Sequence, residues 1–207
     1  MRWAPCRKQH PQARVLPLSS TPKAPGPVPA PSAGPLPGTP SPTASDLPYR
    51  PNVGAMIFHP NGQVFIARRA DMPGAGGPLC DGVWQCPQGG IDAGESPTEA
   101  VLREVQEEIG TNRVTILAEH PDWITYDLPA HLIGHALGGQ YRGQTQKWFA
   151  LAFTGQDEDI KLDLHTPQEF DAWMWAELNS LPERNVGFKK PVYERLVKDF
   201  AAFGIAR

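Results

Sequence analysis

The chain has 207 residues, 40% of them apolar, which is enough material for one core domain. Its formal net charge of -3 supplies no general positive field for nucleic acid, so an anionic substrate must be gripped by local basic groups. No stretch approaches the roughly 20 apolar residues of a membrane helix; the three cysteines, Cys6, Cys80 and Cys86, form no paired motif, which argues against disulfides or a thiolate zinc site and fits a reducing cytoplasm.

Composition shifts near Asp46. Of 24 prolines, 13 fall in residues 1–50, many in the run APGPVPAPSAGPLPGTPSP. Such a segment buries too little apolar surface to offset its ordering entropy, so residues 1–46 are predicted to be a disordered tail and residues 47–207 the folded domain. Residues 1–45 carry five basic side chains and no acidic one, a bias seen in transit peptides, but the prolines oppose the amphipathic helix such peptides form.

From Tyr49 the pattern is mixed α and β. Val53–Phe58 and Gln63–Arg68 are predicted strands flanking a turn at His59-Pro60-Asn61-Gly62. Residues 71–81 are a Gly/Pro-rich loop. Val114–Glu119, Trp123–Tyr126, Lys147–Thr154 and Ala172–Ala176 follow as strands, with Trp173 and Trp175 on one core-facing side. A last helix runs from Pro191 to about Phe203, placing Val192, Leu196, Phe200 and Phe203 on one face.

One helix carries an oddity. Ser96-Pro97-Thr98-Glu99 is a capping box with proline at the first turn, and Gly110 is the expected stop. Val101, Leu102, Val105 and Ile109 share the predicted core face; Glu104, Glu107 and Glu108 crowd a neighbouring arc in the last turns. Carboxylates three and four apart repel by about 0.2–0.5 kcal/mol per pair. Each also loses about 0.3–1 kcal/mol against the helix dipole at that end. A divalent cation reverses the sign of these terms, and clustered hard oxygens without His or Cys suit Mg²⁺ or Mn²⁺. Taken alone, the triplet reads as a solvated acidic face, the usual case for a Glu-rich helix.

It does not stand alone. Gly89, Glu95, Arg103, Glu104, Val105, Glu107, Glu108 and Gly110 fit the spacing Gly-x5-Glu-x7-Arg-Glu-apolar-x-Glu-Glu-x-Gly, with Thr111 at a final position that is usually apolar. This resembles the Nudix box of hydrolases acting on nucleoside diphosphates linked to another moiety. The resemblance implies an α/β (α+β) fold, an α/β/α sandwich around a mixed sheet with a loop–helix–loop box. It also implies metal ligation by Glu104, Glu107 and Glu108, with Arg103 orienting a glutamate. The stretches YRPNVGAMIF, ARR, WQCPQGGID, GQTQKWFAL, TPQEFDAWMW and VGFKKPVY extend the likeness over about Tyr49 to Phe203. They are similar to bacterial RNA pyrophosphohydrolases and the related dinucleoside tetraphosphate (Ap4A) hydrolases. The chain departs from them in its longer loop at residues 71–81 and in Cys86.

The implied activity is Mg²⁺- or Mn²⁺-dependent removal of pyrophosphate from 5′-triphosphorylated RNA, exposing transcripts to decay. The alternative is hydrolysis of a dinucleoside polyphosphate; a non-catalytic nucleotide-binding module is disfavoured by the intact glutamate trio. Glu107 and Glu169 are the candidate general bases, Glu169 also a further metal ligand. Gly89 and Gly90 are expected to let backbone approach phosphates. Arg50, Arg69 and Lys147 are the cations aimed at the polyphosphate, Phe188 and Tyr126 the stacking rings, and Lys189 a donor to a base edge. His131, His135 and His165 lack ligand spacing and are unassigned.

Overall fold

The computed structural model describes residues 46–72, 81–185 and 187–206. The expected tail up to residue 45 and most of the Gly/Pro loop lie outside them.

Strands β1 (Tyr49–Phe58) and β2 (Val64–Arg69) flank the predicted turn, in which Gly62 takes φ 87° and its N–H donates to the His59 carbonyl at 2.9 Å. The two strands are in register only at Phe58 and Val64 and then part. Into the fork go β3 (Trp84–Gln85) on β2 and β4 (Gln88–Gly90) on β1, both too short to be seen in a hydrophobic pattern. Beyond β1 lies β6 (Gly143–Phe153), parallel to it along its whole length, and then β5 (Val114–Asp127), antiparallel. Strand β7 (Phe170–Ala176) pairs antiparallel with β2. The sheet is therefore mixed, as expected.

Alternation along β1 and β6 divides the core in two. Val53, Ala55, Ile57, Phe149 and Leu151 face helix α1 (Pro97–Ile109); Met56, Phe58, Trp148 and Ala150 face helix α2 (Lys190–Asp199). Two helical layers on a central sheet make the α/β/α sandwich.

Several sequence expectations are corrected. The candidates Val114–Glu119 and Trp123–Tyr126 are one strand, β5, interrupted by register shifts. The irregularity turns His120 inward, 1% exposed, to Asp199 of α2 at 3.0 Å. Leu102 is not on the core face but 40% exposed. The buried stripe of α1 is Ala100, Val101, Val105, Glu108 and Ile109, because the helix is rolled to bring its carboxylate side onto β4. Trp173 and Trp175 share a face but are only half-buried, Trp173 stacking on Phe65 at 5.7 Å. Helix α2 stops at Asp199, and a 3-10 turn carries Phe203 onto the core.

Candidate active site

Helix α1 starts and stops where its caps dictate. The Ser96 hydroxyl accepts the Glu99 N–H, the Glu99 carboxylate accepts the Ser96 N–H, and Gly110 closes the last turn at φ 72°, a backbone conformation that glycine adopts freely. Those caps set the phase that delivers Glu104, Glu107 and Glu108 beside β4. There the strand must be bare: a Cβ on Gly89 would overlap the Glu104 carboxylate, and one on Gly90 would strike the Arg50 guanidinium. The two glycines thus make room for the Glu104 and Arg50 side chains.

Four carboxylates from two distant segments, Glu104, Glu107, Glu108 and Glu169, line one cavity of about 260 Å³. Glu169 reaches it from the turn before β7, and Leu162, His165, Thr166 and Pro167 form the rest of the wall. His165 and Thr166 carried no sequence signal; only the fold brings their loop over α1.

The electrostatics are uneven. Glu108 is 7% exposed; one of its oxygens accepts the Gln88 N–H at 3.0 Å, and the other is buried without a partner among the described residues. Burial first, and then the nearby Glu169 and Glu104, push its acid well above the usual carboxylate range. Burial also raises Glu104, against the pull of Arg103. Glu107 is half-exposed.

Two arginines hold this cluster. Arg103 forks onto Glu95 (Nε–Oε1 and Nη2–Oε2, both 2.8 Å) and donates to the Gly90 carbonyl at 2.8 Å, to Glu104 at 2.9 Å and to Glu107 at 3.2 Å. Its fork, with the Asp92 N–H, holds Glu95 down at about 2. Glu95 thus anchors the loop, and Arg103 orients two glutamates at once. Arg69 takes Glu169 at 2.7 Å and Asp71 at 2.7 and 2.8 Å.

Held this way, no group of three or more acidic, His or Cys side chains among the described residues is drawn together around one point as metal ligands. The donor set nonetheless suits a divalent cation. All four groups are hard oxygens sharing one cavity, and Glu108 keeps a buried oxygen with nothing to bind. Glu104, Glu107, Glu108 and Glu169 are the residues that would hold the ion.

The expected substrate groups fall on the other side of β1 and β4. Tyr126 is buried, its hydroxyl donating to Gln144 at 2.5 Å; Phe188 lies 5.8 Å from its ring and the Lys189 ammonium 5.5 Å. Lys189 is half-buried as a residue, but its charged end is the desolvated part, and burial with the neighbouring Arg69 lowers it to about 8. Glu169 and Glu108 act on the same ammonium in the opposite sense, so Lys189 and Arg69 link the aromatic pair to the carboxylates. Lys147 is elsewhere: its ammonium pairs with Glu119 at 2.9 Å and the Pro121 carbonyl at 3.0 Å, on the opposite sheet face. Strand alternation turns Gln146 and Trp148 toward α2 and Lys147 away. His131 and His135 sit in the excursion between β5 and β6.

A network that sequence reasoning missed underlies this face. The buried Gln146 donates to Asn52 and Gln88 (2.8 Å each) and accepts from the Trp148 indole at 3.2 Å. Amides carry no periodic signal of such a role.

Residues 48–196 match the NUDIX domain. A protein of Gluconacetobacter diazotrophicus described as an RNA pyrophosphohydrolase is 70% identical over 160 residues, spanning 77% of this chain and 96% of its own. One of Rhodospirillum rubrum with the same description is 50% identical over 169 residues, spanning 81% and 97%. Among solved structures, the Escherichia coli dihydroneopterin triphosphate pyrophosphohydrolase has TM-score 0.53 at 19% identity, covering 73% of this chain and 99% of that one. A Caenorhabditis elegans Ap4A hydrolase complex has the same TM-score and identity, covering 74% and 96%. The two structures share the fold; the glutamate-bearing helix, its cap and its glycine-lined strand, matched over most of the chain, place this protein in the NUDIX family of hydrolases.

Proposed function

We propose that the chain is a divalent-metal-dependent RNA 5′ pyrophosphohydrolase, cleaving 5′-triphosphorylated RNA to a 5′-monophosphate end and pyrophosphate. The observation that carries this reading is the cavity lined by four glutamates with Arg69 and Lys189 joining it to an aromatic pair. High identity to proteins described as RNA pyrophosphohydrolases supports it.

In the reaction, water adds to phosphorus, the α–β anhydride P–O bond breaks, and pyrophosphate leaves with the bonding electrons. Mg²⁺ or Mn²⁺, when bound, supplies positive charge against the phosphate oxygens and makes water a better nucleophile. The chain's own tasks are distinct. Glu104 and Glu108, the less exposed pair, would hold the ion. Glu107 and Glu169, the more exposed pair, are the candidates to take the proton from the attacking water. Arg103 keeps Glu104 and Glu107 aimed into the cavity. Arg50 and Arg69 grip polyphosphate, and Phe188 and Lys189 receive the terminal nucleotides, while Tyr126, expected as a stacking ring, is a core residue that backs Phe188. Lys147, committed to Glu119, has no part in this reading.

No helix among the described residues is long and apolar enough to cross a membrane. The buried free thiol of Cys86 and an RNA substrate are in keeping with a cytoplasmic protein. The test is a competition between triphosphorylated RNA and diadenosine tetraphosphate, reading kcat/KM for each with Mg²⁺ and with Mn²⁺. A higher value for RNA is expected; a higher value for the dinucleotide overturns the substrate.

A further inference from the structure

Arg69 does not reach the carboxylate cavity as a free side chain. Its backbone is fastened at the end of β2, where its N–H donates to the Val83 carbonyl at 2.9 Å. Its guanidinium is seized by Asp71, Nε on Oδ1 at 2.8 Å and Nη2 on Oδ2 at 2.7 Å. Both Asp71 oxygens are spent on this one contact, the planar fork that fixes a guanidinium in angle as well as distance. Nη1 then meets Glu169 at 2.7 Å.

A guanidinium has five N–H donors. Among the described residues Asp71 uses two and Glu169 one, which leaves one hydrogen on each terminal nitrogen, in a plane that the Asp71 fork fixes. Asp71 itself is 60% exposed, so the pair adds little to stability. What it does is hold a cation at the edge of the carboxylate cluster, close enough to Lys189 and Tyr126 to shift both.

We propose that Asp71 is a positioning residue for substrate binding: by clamping Arg69 it presents the two remaining N–H groups to a polyphosphate oxygen. The inference rests on the reading of Arg69 as a polyphosphate ligand. Asp71 touches no reacting atom, and its effect passes entirely through Arg69. Losing it leaves Arg69 charged but held at one point only, by Glu169, so its plane is no longer fixed and binding weakens while chemistry on the bound substrate continues.

The experiment is a double-mutant cycle on the full chain with Asp71→Asn, Arg69→Gln and the double variant, reading kcat and KM separately. Asp71→Asn is expected to raise KM about tenfold with kcat within about twofold and an unchanged melting temperature. In the Arg69→Gln background the same change should add nothing. Unaltered KM in Asp71→Asn, or an equal rise with and without Arg69, overturns the proposal. Triphosphorylated RNA and diadenosine tetraphosphate are both assayed. If wild type cleaves only the dinucleotide, the RNA reading fails, while the Asp71 inference stands or falls on KM for that substrate.

Discussion

One carboxylate oxygen of Glu108 accepts the Gln88 backbone N–H at 3.0 Å, while the other is buried and bonded to nothing among the described residues. Burial, with Glu169 and Glu104 nearby, pushes this half-satisfied acid well above the usual carboxylate range. An unsatisfied buried polar group costs about 1–3 kcal/mol, a cost that a cation removes.

Glu108→Gln should therefore stabilise the metal-free protein at neutral pH while abolishing hydrolysis. The sign follows from linkage. The folded acid binds its proton more tightly than the unfolded one. Between the ordinary glutamate value and the raised one, the native state thus holds more protons, and stability falls as pH rises. The glutamine variant lacks this fall, and its melting temperature without metal should exceed wild type by about 2–4 °C per kcal/mol recovered. Glu95 acts oppositely, giving stability at neutral pH that is lost as pH drops toward its value of about 2. A metal-free melting scan from pH 2 to 8 on wild type and Glu108→Gln checks both slopes, the Glu95 one below the ordinary glutamate value and the Glu108 one above it.

Glu107→Gln should leave the fold intact and reduce kcat by about 10²-fold or more, since it removes a ligand and a candidate base together. The side chain is half-exposed and shares Arg103 with two other acids, so unfolding should hardly change. Near wild-type turnover at saturating Mg²⁺ would remove Glu107 from the site.

Phe188→Ala and Lys189→Ala should each lower kcat/KM on triphosphorylated RNA by about 1–3 kcal/mol, chiefly through KM. Phe188 is only half-buried against the α2-side core, so its loss should cost less stability than the 3–5 kcal/mol of a fully buried phenylalanine, by about half. Wild-type KM should also rise as pH passes about 8 and Lys189 loses its charge, a rise that Lys189→Ala should lack. Equal losses on RNA and on simple nucleotides, with a large drop in melting temperature, would make Phe188 a core residue.

Gln146→Leu tests the amide network. The change strands the Asn52 and Gln88 oxygens and the Trp148 indole N–H, all buried. It should cost about 1–3 kcal/mol for each group left unpaired, read as a shift in denaturant midpoint. Gln146→Glu, which keeps the acceptor for Trp148 but turns a buried carboxylate onto the Asn52 and Gln88 oxygens, should cost more than Gln146→Leu.

Local signals decided where helix α1 begins and ends. Its capping box, first-turn proline and αL glycine all act within a few residues, so Ser96, Pro97 and Gly110 mark the ends in the sequence as they do in the fold. The same holds for the acidic triplet, whose spacing on a 3.6-residue helix needs no tertiary knowledge. Long apolar strands were legible too, but β3 and β4 have two and three residues and exist only because β1 and β2 splay apart.

The tertiary structure decided whatever depends on two segments meeting. Glu169 joins the triplet because β7 pairs with β2, and Arg69 finds Glu169 across 100 residues. Lys147 looked like a ligand for phosphate, yet the pleat of β6 and the bulge of β5 hand it to Glu119. Leu102 failed for a related reason: a helix pattern gives the width of the apolar stripe but not its roll, which β4 sets by admitting the carboxylates. Sequence alone determines the chemistry carried by a helix and its caps, because those forces are local. Which charges are buried, paired or left unsatisfied is decided by folding, because burial and Coulomb terms depend on distances between segments far apart in the chain.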